Sequence, residues 1–124
     1  MDADRKTASV LGGGAGARAA AAELALAGWS VRMWDLPEFF AGMQGLLGEH
    51  NLIVSGLSDA IAPIERVTDD ISDACEGSSL ILIVAQSGGH RPIAMELARA
   101  VSPDQAIVVM PGGSGGALEV RQVL

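Results

Sequence analysis

Ala8-Ser9-Val10-Leu11-Gly12-Gly13-Gly14-Ala15-Gly16-Ala17-Arg18, running without a break into the alanine- and leucine-rich residues 19–27, decides the fold of this chain. It reads as a short buried strand, then a glycine turn, then a helix. That order suits a diphosphate, whose charges need donors that no side chain obstructs. A helix N-terminus presents backbone N–H groups and a partial positive charge, and glycine lets phosphates come close to them. The spacing Gly12-x-Gly14-x-x-Ala17 is the dinucleotide fingerprint with alanine as its third small residue. Gly12 allows the tight turn, Gly14 the approach of the pyrophosphate, and Ala17 the packing of helix on strand. Gly13, Ala15 and Gly16 complete the expected cofactor-binding turn. An acid, Asp35, stands roughly 20 residues further on, where such a motif places the ribose ligand.

Composition supports a sheet buried on both faces. Hydrophobic residues make up 49% of the 124 residues but aromatic ones only 3%, so aliphatic packing dominates, as in parallel sheets. A chain of this length forms one domain, 1–124, and buries roughly two thirds of its unfolded surface. The net charge of −7 argues against nucleic acid or an anionic membrane as partner. Cys75 is the single cysteine, so no intrachain disulfide can form, and it reads as a small buried hydrophobe. The polar N-terminus lacks the order of a signal peptide, and no apolar run reaches the ~18 residues of a membrane helix. A cytoplasmic protein is expected.

Along the chain, strands are expected at Thr7 to Leu11, Ser30 to Trp34, Leu80 to Ala85 and Ala106 to Met110, the last two as buried runs. Helices are expected from Ala15 to Ala27, closed by Gly28, from Pro37 to Leu47 with Phe39 and Phe40 as anchors, and from Gly88 to Ala100. Thr68-Asp69-Asp70 caps a short helix reaching Glu76. Asn51 to Val54 and Ala60 to Ile64 form a β-excursion, with Pro63 restricting its strand to an edge. A second glycine-rich loop, 111–116, leads into a helix starting near Ala117. Strands alternating with helices predict a doubly wound parallel α/β sheet of the Rossmann type.

The chemistry-bearing residues gather at the C-terminal ends of these strands. Asp35 can accept from the ribose hydroxyls and would repel a 2′-phosphate, which favours NAD, with NADP as the alternative. Its ordinary reading is an acid opening the turn before Pro37. Trp34 reads either as an adenine flank or as a core tryptophan. Arg18 puts a cation in the first helical turn, against the helix dipole, and reads as a phosphate contact or a solvated arginine. Ala85, Gln86 and Ser87 follow a central strand and should border the nicotinamide half of the site. His90 could be a general acid or base, though capping or loop hydrogen bonding is its ordinary role; His50 reads as solvent-facing. Asp69-Asp70 is a helix cap before it is a metal pair. No nucleophile–base pair, HExxH or Cys/His metal spacing is present, so neither catalytic nor metal-binding residues are assigned.

These stretches resemble the N-terminal domain of the octopine/nopaline (opine) dehydrogenases. The likeness is carried by Val10 to Ala21, Leu24 to Gly28, Val31, Trp34-Asp35, Val67 to Ile71, the strand and loop ending in His90, and Pro111-Gly112-x-x-Gly115-Gly116-Ala117-Leu118-Glu119. The resemblance implies NAD(P)H-dependent reductive condensation of an α-keto acid with an amino acid. It carries the cofactor positions to Gly12, Gly14, Ala17 and Asp35. The chain departs from the family at Ala15-Gly16-Ala17, where asparagine and two glycines are common, and at Gln86, where proline is usual. By this resemblance the family's helical catalytic domain is expected to lie outside these 124 residues, and the chain is expected to bind cofactor without turnover. A missing or separate catalytic domain is then a partner, and apolar surface left uncovered predicts a homo-oligomer. The alternative reading is a stand-alone nucleotide-sensing module similar to the regulators of potassium transport.

Overall fold

The C-terminal ends of two parallel strands, β1 (Thr7–Leu11) and β6 (Leu80–Val84), lie side by side at the centre of the molecule, with Leu11 opposite Ile83. The computed structural model describes residues 6–39, 51–54, 60–85 and 87–110. Around that central pair the sheet runs β5-β2-β1-β6-β7, all parallel, with β2 at Ser30–Trp34, β5 at Arg66–Val67 and β7 at Ala106–Met110. The strand order reverses between β1 and β6, the hallmark of the doubly wound fold, and ligands bind at that reversal.

Right-handed crossovers put helices on both faces. Helix α1 (Ala15–Leu26) packs Ala17, Ala21, Ala22 and Ala25 against Val10, Val31 and Met33. Alanine is the right residue there because it brings helix and sheet close, but each buried methyl contributes only about 0.8 kcal/mol. The antiparallel hairpin of β3 (Asn51–Val54) and β4 (Ala60–Pro63) adds Ala62 to this core, followed by Ile64 and Val67. The opposite face is built from larger side chains. Leu11, Trp34, Ile81 and Ile83 meet Ile71, Ala74 and Cys75 of α2 (Ile71–Cys75) and Ile93, Ala94 and Leu97 of α3 (Ser87–Leu97).

Local chemistry sets the element ends. Ala27 closes α1 and Gly28 follows at φ +103°, a conformation glycine adopts without strain. Asp70 caps α2, its Oδ1 accepting from the Ser72 N–H at 3.0 Å and the Asp73 N–H at 3.5 Å. Cys75 is fully buried, and burial pushes its thiol pKa up to about 11, opposed by a hydrogen bond with Ser9 and by Arg32.

Four expectations change. β7 is not a buried strand: its residues alternate between exposed and half-buried, with Val108 44% exposed, because β6 is its sole neighbour among the described residues. Helix α3 starts at Ser87 and ends at Leu97, with a turn over 98–100. The two-residue β5 was not expected as a strand, being too short to carry periodicity. Only the first turn of the helix expected after Pro37 is described, as a 3-10 turn over 37–39. In it Phe39 is 59% exposed and stands outside the described core. The remainder of that helix, Phe40, His50, Gln86, the loop 111–116 and the helix expected from Ala117 lie outside the described residues.

Candidate functional site

Because Leu11 pairs with Ile83, the chain leaving β1 meets the last residue of β6 directly. Gly12 is the consequence. Its φ is +135°, and a Cβ there would sit 2.3 Å from the Val84 carbonyl oxygen and 3.5 Å from Ala17 Cβ. No L side chain fits. The Gly12 N–H donates to the Trp34 carbonyl at 2.6 Å, tying the turn to the end of β2 as well. Gly12 is therefore where three strand ends and a helix converge.

Gly14 differs. It is the N-cap of α1 in an extended conformation, φ −77° and ψ −174°, with no side chain capping the helix and no acid in its first turn. A Cβ on Gly14 would meet nothing within 4 Å. The space before this helix start is open, Gly14, Ala15 and Gly16 are exposed, and a helix end without a side-chain cap takes its partners from water or a ligand. Gly16 sits against Val84, where an added Cβ would touch Cγ1 at 3.5 Å.

A cleft of about 780 Å³ opens over this corner. Gly12, Gly13, Gly14, Ala15, Gly16 and Ala17 line it on the α1 side, Asp35 and Leu36 beyond β2, and Val84, Ala85 and Gly89 beyond β6. The expected site residues thus face one cavity, apart from Gln86, which lies outside the described residues, and Ser87, which opens α3 without a described side chain. The volume lies within the roughly 300–1,000 Å³ of cofactor-sized sites.

Asp35 is 8% exposed, and its Oδ1 accepts from the Leu36 N–H at 2.8 Å. Burial holds its carboxyl above the ordinary carboxylate pKa; donation from the Leu36 and Gly13 N–H groups offsets part of the rise, and Glu38 adds to it. Trp34 belongs to the core, 1% exposed, with Nε1 donating to the Asp69 carbonyl at 3.0 Å. Arg18 is neither extended into solvent nor directed at open space. It turns back on the glycine turn, Nε donating to the Gly13 carbonyl at 2.9 Å.

His90 departs furthest from its sequence reading. It is the fourth residue of α3, 1% exposed, and neither Nδ1 nor Nε2 has a hydrogen-bond partner among the described residues. The buried residues Ile93, Ala94 and Leu97 follow at helical spacing, so His90 sits on the sheet-facing side. Capping is excluded. Sequence reasoning also missed Phe39 and Leu36 as cleft residues; their only signal was position, just beyond the end of β2.

Over 98% of its length the chain is 38% identical to an opine dehydrogenase of Arthrobacter sp. (strain 1C). Over this stretch the chain is similar to the opine dehydrogenases. It spans about a third, 33%, of that relative's length. Octopine dehydrogenase solved with NADH and pyruvate superposes with a TM-score of 0.84 at 23% identity, over 96% of this chain and 32% of that one. Yersinopine dehydrogenase with NADP+ bound superposes at 0.77, with 16% identity, over 100% of this chain and 32% of the other. No protein-family model matches. The all-parallel sheet with its helices is accordingly a Rossmann-type fold. No described helix is long and apolar enough to cross a membrane.

Proposed function

We propose that the chain is the dinucleotide-binding domain of an opine-type dehydrogenase. The single observation that carries this is the open space before Gly14, at the uncapped start of α1 and the reversal point of the sheet. A diphosphate fits there on chemical grounds, because the donors are backbone N–H groups at the positive end of a helix dipole. Gly12, Gly13 and Gly14 form the cradle, with Ala15, Gly16 and Ala17 keeping its floor small. Asp35 receives the adenosine ribose and favours NAD over NADP by repelling a 2′-phosphate. Ala85, Gln86 and Ser87 border the nicotinamide half.

The bound cofactor supplies a hydride for reductive condensation of an α-keto acid with an amino acid. This chain's own residues bind and orient it, and turnover belongs to a catalytic domain beyond the portion shared with the relatives. The exposed Val108 and Met110 of β7 support further association, read here as a homo-oligomer; light scattering of a strict monomer at tens of micromolar argues against that. The setting proposed is cytoplasmic.

Titration of the purified 124-residue chain with NADH, followed through Trp29 and Trp34 fluorescence, tests the reading. Saturable quenching without oxidation of NADH is expected. A flat response to millimolar NADH and NADPH alike sinks it.

A further inference from the structure

Gly13, the variable residue between the two fingerprint glycines, is held through its carbonyl. Its N–H lies on the side of the Asp35 carboxylate and favours that group's charged form. Its carbonyl accepts from Arg18 Nε at 2.9 Å. The Gly13 carbonyl and the Gly14 N–H belong to one rigid peptide plane and point in opposite directions, since the unit is planar and trans. Whatever fixes the carbonyl therefore fixes the direction of the Gly14 N–H. Glycine at both 13 and 14 leaves the local backbone little preference of its own, so an external tether decides the orientation.

Energetics favour the tether as well. A cation in the first turn of a helix opposes the dipole, and Arg18 recovers that cost through a charge-assisted bond to the turn. A carbonyl oxygen turned toward an anion site would repel it; held by the guanidinium, that oxygen points away.

We propose that Arg18 is a positioning residue: it clamps the Gly13 carbonyl, so that the Gly14 N–H stays directed at the diphosphate. The proposal rests on the dinucleotide reading for its consequence, though not for the clamp itself.

Arg18→Gln and Arg18→Lys of the 124-residue chain are compared with wild type by amide NMR and hydrogen exchange, first without ligand. In Arg18→Gln the Gly13 and Gly14 resonances should shift, and exchange of the turn amides should speed up about tenfold, because the turn loses the charged donor that holds the Gly13 carbonyl. Val10 and Ile83, inside β1 and β6, should be unchanged. Unmoved Gly13 and Gly14 signals, or acceleration spread evenly over the sheet, overturn the clamp. With NADH added, both variants should bind about tenfold more weakly, because lysine keeps the charge but not the Nε geometry. Full affinity in Arg18→Lys with weak binding in Arg18→Gln means a direct charge contact, and also overturns positioning. If wild type itself binds no NADH, the dinucleotide reading fails, while the ligand-free spectra still decide the clamp.

Discussion

The two corners that meet at the reversal of the sheet are built on opposite principles. The β1–α1 corner is made of backbone: Gly12 wedged against Val84, Gly14 facing open space, and Gly13 held through its carbonyl by Arg18. Beside the β6–α3 corner the packing is made of side chains, Ile83 with Ile93, Ala94 and Leu97, next to one buried histidine whose ring nitrogens have no partner among the described residues. The first corner tolerates almost no change at some positions and any change at others. The second is a packed core in which volume matters more than identity. The difference shows that neighbouring glycines of one motif can serve different ends.

Gly12→Val should break the first corner. Positive φ and overlap with the Val84 carbonyl together should cost about 3–5 kcal/mol, read as a lower urea midpoint. A midpoint near wild type means the turn can rearrange, and the contrast with Gly14 disappears. Gly14→Val should leave the midpoint within about 0.5 kcal/mol, because the site is open and its backbone extended. NADH affinity in that variant should fall at least about thirtyfold, or roughly 2 kcal/mol. Unchanged affinity shows the space before Gly14 is not where the cofactor lies.

The second corner predicts the opposite sign. His90→Leu removes two unsatisfied nitrogens from the core, so stability should hold or rise by about 1 kcal/mol. A large fall in melting temperature means the ring is bonded to something beyond the described residues.

Asp35→Asn links the corners to pH and carries the smallest effect. A carboxyl whose folded pKa is raised favours the folded state when protonated, and that advantage is lost as pH rises through the raised value. At pH 7 the ionised, buried Asp35 therefore costs stability that asparagine avoids, and the variant should melt slightly higher. The gain should shrink on acidification below the ordinary carboxylate range. Equal melting at pH 7 would show that the Leu36 and Gly13 bonds fully offset burial.

Much of this architecture was legible in the sequence because it depends on local chemistry. The β1–turn–α1 unit follows from an apolar pentapeptide, glycines at fixed spacing and a run of alanines, and Asp70 announces its own cap. The hairpin of β3 and β4 was readable from two short apolar pieces around a turn. β5 and the exposure of β7 were not, since two residues carry no period and an apolar run looks alike at the centre and the edge of a sheet.

The sequence by itself determined that a glycine turn joins a buried strand to a helix, because φ freedom and small size are properties of single residues. Only the tertiary structure decided which glycine is wedged and which is open, because that depends on where Val84 of a distant strand places its carbonyl. It likewise decided that Arg18 bends back to Gly13 and that His90 lies in the core. Both outcomes turn on neighbours brought together by strand pairing, and no local spacing encodes them.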